Sequence, residues 1–302
     1  MNILVVGSMA YDAIETPFGK TDKILGGAAT YIGLSASNYQ VPIELVSVVG
    51  GDFDQTYLPM LNQKGISTLG VEVRQDEKTF FWSGRYHSNM NERDTLVTEL
   101  NVLENFQPKV PSGSKKPDIL LLGNLHPLVQ ASVLEQLEER PKLVVMDTMN
   151  FWMDIALEDL KNTIQKVDVL VINDQEARQL SGEYSLLLAA KIIQQMGPKF
   201  LIIKKGEHGA MLFEGENYFV APAILLDKVI DPTGAGDTFA GGFVGYLAQV
   251  EKIDFGQMKM ALLHGTTRAS FCVEELGTKG LMEIEERAFD QRLSKLKDSF
   301  SL

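Results

Sequence analysis

Asp231-Pro-Thr-Gly-Ala-Gly-Asp237-Thr-Phe-Ala-Gly-Gly-Phe243 is a glycine-rich turn that runs straight into a helix. Ala240, Phe243, Val244, Leu247 and Ala248 follow at helical spacing, which puts the helix start near Gly236. A helix start presents free backbone N–H groups and the positive end of the helix dipole, so it is an anion site. Gly234 and Gly236 lack Cβ, so a phosphate can approach the backbone closely. Asp237 falls in the first helical turn. Alone, an acid there is an ordinary helix-start residue. Beside a bound anion it is repelled, and the task that suits it is taking the proton from a hydroxyl that attacks a phosphate.

Outward from this turn, short apolar runs recur at Ile3–Val6, Leu45–Val49, Ile119–Leu122, Leu143–Met146, Val169–Ile172 and Phe200–Ile203. Each has strand length and is apolar throughout, as a strand buried on both faces is. Helix-like segments alternate with them, most clearly Val129–Glu139 and Leu186–Met196. Such alternation predicts a mainly parallel sheet covered by helices. The runs end in Gly7, Gly50, Gly123, Asp147, Asn173 and Lys204. Ligands of open α/β sheets sit beyond the carboxyl ends of the strands, so these residues mark one functional edge. The stretch from Val71 to Phe106 breaks the pattern. It mixes polar and aromatic residues, including Thr79-Phe-Phe-Trp-Ser-Gly-Arg-Tyr86, and reads as a small β appendage over the site or as a long surface insertion.

The 302 residues carry 28 Lys and Arg against 40 Asp and Glu, a net charge of −12. That balance argues against nucleic-acid or anionic-membrane partners. The lone Cys272 and four His exclude a disulfide or a Cys-x-x-Cys metal site. No basic, apolar leader and no run of about 18 apolar residues is present, so the cytoplasm is the expected compartment. Gly19-Lys20-Thr21 lacks the upstream glycine of a P-loop. Gly7-Ser-Met-Ala-Tyr-Asp12 is not a dinucleotide fingerprint, and Asp52-Phe-Asp54 is not the kinase Asp-Phe-Gly.

The Asp231–Phe239 segment resembles the second signature of the ribokinase-like (PfkB) carbohydrate kinases, and the resemblance runs through almost the whole chain in order. Gly7-Ser-x-x-x-Asp12 is similar to the family's first strand with its substrate-binding Asp. Gly26-Gly27 is similar to the double glycine that opens the first helix. Asn173-x-x-Glu176 resembles the family's Asn-x-x-Glu motif, and Lys205-Gly-Glu-His-Gly209 resembles its nucleotide-contacting turn. The fold so implied is a three-layer α/β/α sandwich spanning 1–302, with a β lid formed by roughly 10–24 and 71–106.

The activity so implied is ATP-dependent phosphorylation of an alcohol. Asp237 would be the general base, and the amides of Gly234, Ala235 and Gly236 the anion hole. Asp12, Gly26 and Gly27 would hold the acceptor. Lys204, Gly206 and Gly209 would meet the nucleotide, with Asn173 and Glu176 in the outer shell of Mg²⁺. Asp231 matches the position that carries a monovalent cation, K⁺, in many relatives. The resemblance also implies a homodimer through the lid.

Two departures bear on the acceptor. Tyr31 stands where the double-glycine segment usually has Asn, and Ala10 stands two residues before Asp12 where ribokinases have Asn. A small sugar or sugar derivative is the expected acceptor, with a nucleoside the first alternative. Tyr31 is assigned to the substrate, where it would stack on a sugar face or a base; packing is the alternative. A sensor without turnover is the rival outside the enzyme class, and Asp237 speaks against it. Asn173 and Glu176 also fit a helix capping box. Arg85 and Arg93 in the appendage are either exposed or poised to reach a phosphate. His208 faces solvent, and Met149-Asn-Phe-Trp152 lines a pocket or buries a loop.

Overall fold

The computed structural model describes residues 1–300. Its strands are β1 (Ile3–Val6), β2 (Ala10–Thr16), β3 (Gly19–Lys20), β4 (Ile24–Gly26), β5 (Ile43–Gly50), β6 (Ile66–Arg74) and β7 (Phe80–Tyr86). They continue as β8 (Arg93–Glu99), β9 (Ile119–Leu122), β10 (Leu143–Asp147), β11 (Val169–Asn173), β12 (Phe200–Lys204), β13 (Ala210–Glu214) and β14 (Asn217–Ala221). Nine of these form one sheet in the order β14-β13-β12-β11-β10-β9-β1-β5-β6. It is parallel from β12 to β6, and β13 and β14 add an antiparallel hairpin at the far edge.

The apolar runs explain this sheet. Side chains alternate faces along a strand, so a run apolar at every position feeds two cores. Ile3 and Val5 pack into one core with the helices Ala28–Ser37, Ala235–Leu247 and Phe255–Cys272. Leu4 and Val6 pack into the other, with the helices Leu157–Ile164, Asp174–Ser181 and Leu186–Gln194. The result is the three-layer α/β/α sandwich expected from the sequence. No described helix is long and apolar enough to cross a membrane.

A second sheet has the order β3-β2-β7-β8, with β4 also paired to β2. It forms the lid, from residues 10–26 and 80–99. The expected lid boundaries of 10–24 and 71–106 therefore need correction. Val71–Arg74 belongs to the main sheet, where Val71 and Val73 pair in parallel with Ser47 and Val49. An alternating run announces a strand but not which sheet it joins. Past β8, Val102 and Phe106 are back in the main core. The helix expected at Val129–Glu139 is also shifted, to Pro127–Leu134. Pro127 occupies its first turn with His126 Nδ1 accepting from the Leu128 amide. Beyond it, the Gln136 side chain accepts from Val110 N and donates to Pro108 O, which ties this end to the preceding connection.

The lid is fastened to the body at Asp52. Its Oδ1 accepts from both the amide and the hydroxyl of Thr79 at 2.7 Å, and its Oδ2 accepts from Lys23 at 3.0 Å.

Candidate active site

Gly234 has φ of +72° and caps the Ala235–Leu247 helix, so the turn enters the helix through a left-handed residue. A Cβ there would lie 2.4 Å from the Tyr31 ring. Tyr31 is 1% exposed and lies beneath the turn rather than in the cleft. The expected stacking of Tyr31 on an acceptor thus gives way to packing: its ring supports Gly234, and with the side chain enclosed there is no open face for a ligand.

Asp231 anchors the same turn from behind. Its Oδ1 accepts from Thr233 N at 2.9 Å and its Oδ2 from Gly277 N at 2.8 Å. It is 1% exposed, and burial raises its pKa. Thr233 in turn donates its hydroxyl to Tyr86 of the lid at 3.1 Å.

On the other side of the helix start, a Cβ at Gly236 would stand 2.8 Å from Lys204 Nζ. The Lys204 ammonium is thus pressed against the glycine turn. It lies 3.6 Å from Asp147 Oδ1, and both side chains are largely buried. Burial works against the charged ammonium, but Asp147, Glu176 and Asp237 outweigh it and hold Lys204 protonated. Asp147 closes β10 and was legible only as a strand-end acid; the structure makes it the partner of Lys204.

Burial raises Asp237 to about 7, Asp147 pushes it the same way, and Lys204 and Arg93 pull it down. A base poised near neutrality suits proton abstraction at physiological pH. Asp12 lies on β2 and is also raised to about 7, first by burial and then by the charges of Asp231 and Asp237. Gly26 makes room for it, and Gly27, with φ of +92°, opens the next helix where a Cβ would strike Ser8 O at 2.5 Å.

Asn173 and Glu176 form a complete capping box: Asn173 N donates to Glu176 Oε2 at 2.7 Å, and Glu176 N to Asn173 Oδ1 at 2.8 Å. Burial first, then the Asp147 charge, raises Glu176 to about 7. Capping engages only Oε2 of Glu176. Gly206 (φ +53°) and Gly209 (φ +86°) shape the turn after β12, where a Cβ at Gly209 would meet Ala221 O at 2.0 Å. Asn91 at the lid tip donates to Glu207 Oε1 at 2.7 Å, so the lid reaches this turn.

The residues singled out in the sequence therefore meet along the carboxyl edge of the sheet. Lys204, Glu176 and Asp237 share one electrostatic cluster with Asp147, and Asp12 faces it from the lid. No described group of three or more His, Cys, Asp or Glu residues forms a ready metal cage. Of the remaining residues, Arg85 pairs with Glu15 on the lid, His208 is exposed, and Trp152 donates to Asn124 Oδ1 at 2.8 Å. Sequence reasoning passed over Trp82 and Tyr86, whose positions depend on strand register.

Comparison with known proteins gives a consistent result. The model of the pfkB family carbohydrate kinases matches residues 1–285. A cytidine kinase of Thermococcus kodakarensis is 28% identical over 252 residues, covering 82% of this chain and 88% of that one. The crystal structure of a nucleoside kinase from Methanocaldococcus jannaschii superposes with a TM-score of 0.78 at 22% identity, over 97% of this chain and 98% of that one. A Burkholderia thailandensis nucleoside kinase in complex with inosine gives 0.79 at 20% identity, with the same coverage.

Proposed function

The chain belongs to the pfkB family of carbohydrate kinases and is a kinase, and from that premise we propose that it transfers the γ-phosphoryl of ATP to a hydroxyl of a nucleoside. The observation that carries the chemistry is the placement of Asp237. It is a carboxylate raised to about 7 in the first turn of a helix whose start is bare of Cβ and backed by Lys204.

In this reading Asp12 accepts hydrogen bonds from the acceptor's hydroxyls and fixes which of them faces Asp237. Asp237 takes that hydroxyl's proton as the hydroxyl oxygen bonds to the γ-phosphorus, and the bond from that phosphorus to the β,γ-bridging oxygen breaks to release ADP. The amides of Gly234, Ala235 and Gly236 receive the negative charge that develops on the transferring group. Lys204, with Gly206 and Gly209, holds the nucleotide's phosphate side. Asn173 and Glu176 would hold a Mg²⁺ ion bound with the nucleotide, and the ion would supply positive charge to the phosphates.

Two features favour a nucleoside. The Thermococcus relative is named a cytidine kinase. Trp82 pairs with Asp12 across β7 and β2, which puts an indole beside the acceptor acid. A small sugar is the second reading, supported by the family's carbohydrate acceptors and by Asp12 itself.

Asp231 fits a monovalent cation. It is a buried carboxylate with two amide donors and, among the described residues, no ion pair. K⁺ there would compensate its charge behind the anion turn. The lid-to-lid homodimer also belongs to this proposal. β8 is an edge strand exposed along its length, with Leu96 and Val97 outward, and sedimentation tests it.

The decisive experiment is ADP release with Mg·ATP against panels of nucleosides, sugars and sugar acids, with and without K⁺. Turnover confined to nucleosides supports the proposal. Turnover confined to sugars moves the acceptor to the second reading. Binding of ATP without turnover on any alcohol would overturn catalysis by Asp237.

A further inference from the structure

The candidate site is divided between two helices. The Ala28–Ser37 helix carries the seat of Asp12, because Gly27, its cap, holds that acid through its amide. Ala28 N and Ala29 N donate to Ser8 Oγ at 3.1 Å and Ser8 O at 2.9 Å, which ties the helix start to the link between β1 and β2. The Ala235–Leu247 helix carries Asp237 and is entered through Gly234. Transfer needs a hydroxyl held at the first helix and a phosphoryl held at the second to stand at one fixed separation.

The two helices meet along a seam. Far from the site, Tyr39 fills the space beside Gly245, where a Cβ would lie 2.3 Å from its ring. Midway, a Cβ at Gly241 would lie 2.4 Å from Ile32 O, and Ser35 Oγ donates to Thr238 O at 2.7 Å. At the site, Tyr31 stands to Gly234 as Tyr39 does to Gly245, with its ring 2.4 Å from the Cβ position. The first two contacts grip the body of the second helix, whereas Tyr31 meets the turn that precedes it. The Tyr31 hydroxyl lies 4.0 Å from the Cβ position of Gly277, whose amide holds Asp231. Among the described residues that hydroxyl is buried without a hydrogen-bond partner, so what Tyr31 supplies to the turn is its ring.

We propose that Tyr31 is a positioning residue for phosphoryl transfer: its ring sets the height of the Gly234 turn over the acceptor's seat. Gly234 holds its φ of +72° because it has no side chain, and for the same reason it has nothing of its own to brace it. A flat, stiff ring beneath the backbone supplies the brace. At 1% exposed, Tyr31 touches neither reactant and acts through the amides of Gly234, Ala235 and Gly236. This proposal rests on the kinase reading above.

Tyr31→Leu, Tyr31→Phe and the control Tyr39→Leu separate the outcomes. Tyr31→Leu keeps the space apolar but removes the flat ring. It should lower kcat by about tenfold to a hundredfold, with the KM for ATP and for the acceptor each within about threefold, because a misplaced turn is felt where charge develops. Tyr31→Phe keeps the ring and should recover most of the rate. Tyr39→Leu loosens the same pair of helices far from the turn, so its melting temperature should fall comparably while kcat holds. Hydrogen exchange gives a readout that needs no turnover. Ala235 N donates to Pro232 O and Thr238 N to Gly234 O, so these two amides report opening of the turn. They should exchange about tenfold faster in Tyr31→Leu and at the wild-type rate in Tyr31→Phe and Tyr39→Leu. Tyr31→Met, longer than leucine, takes the place of Tyr31→Leu if that variant does not fold.

A wild-type kcat in Tyr31→Leu overturns the proposal. So does a change confined to the acceptor KM, which would make Tyr31 a binding residue. An equal loss of kcat in Tyr39→Leu would reduce the effect to general loosening, and an equal loss in Tyr31→Phe would assign it to the hydroxyl; either overturns the proposal. A wild-type chain that turns over no alcohol would sink the kinase reading, and the exchange rates would still decide whether Tyr31 holds the turn.

Discussion

The Asp12 carboxylate occupies the space a side chain at residue 26 would need: a Cβ on Gly26 would stand 1.9 Å from Asp12 Oδ2 and 2.3 Å from its Cγ. Asp12 is also 5% exposed and held by the Gly27 amide. The double glycine is thus the seat of an acid, and the acid's aim depends on it.

Gly26→Ala should displace Asp12 while leaving the nucleotide side intact. The acceptor KM should rise about tenfold or more, with ATP affinity within about twofold, and stability should fall by about 1–3 kcal/mol. Steady-state kinetics and a denaturant titration check both. An unchanged acceptor KM would remove Asp12 from the acceptor site.

Asp237→Asn should lower kcat by about a thousandfold or more with nucleotide affinity retained, as calorimetry would show. The same change should stabilise the ligand-free protein at pH 8. The folded-state pKa is raised to about 7 against an ordinary 3.8, so the native state resists the charge that Asp237 carries above pH 7. That penalty is full above pH 7, shrinks as pH falls toward 4, and is absent in Asn. The expected gain at pH 8 is on the order of 2–4 kcal/mol, vanishing near pH 4.

The wild-type kcat/KM should fall on the acid side of about pH 7, approaching tenfold per unit. Asp237 must be ionised to accept a proton, and its raised pKa places that loss near neutrality. Asp12, also raised to about 7, sharpens the same limb. A pH–rate profile flat down to pH 5 would contradict this environment for Asp237.

Lys204→Met leaves Asp147 buried without its cation and should destabilise the fold by about 3–5 kcal/mol. Pairing it with Asp147→Asn should recover most of the stability, because neither charge is then stranded, but not ATP affinity. Thermal denaturation of the single and double variants beside ATP titrations separates the structural role from the binding role.

Replacing K⁺ by tetramethylammonium should lower kcat/KM, and Asp231→Asn should remove the difference between the two ions. Thermal shifts with each ion give a second readout. Equal activity in both ions would leave Asp231 as a fastener of two loops alone.

The candidate site residues that declare themselves by local pattern were legible in the sequence. The turn Asp231–Asp237 declares a left-handed glycine entry into a helix, because helix starts and left-handed turns are local matters. The apolar runs declare a sheet buried on both faces, since burial on alternate sides demands apolar side chains at every position. Asn173 and Glu176 spell their capping box three residues apart. What only the tertiary structure decided is which distant groups share one dielectric and one face. Nothing near Asp147 or Lys204 in sequence says that they pair, because β10 and β12 become neighbours of β11 only in the assembled sheet. Tyr31 looked free to stack, and packing against Gly234 buried it. Arg85 and Arg93 looked alike, and the strand register joined one to Glu15 and set the other beside the Trp82 ring. Register, burial and the raised carboxylates all come from contacts between residues far apart in the chain, and a side chain's charge state follows from what surrounds it.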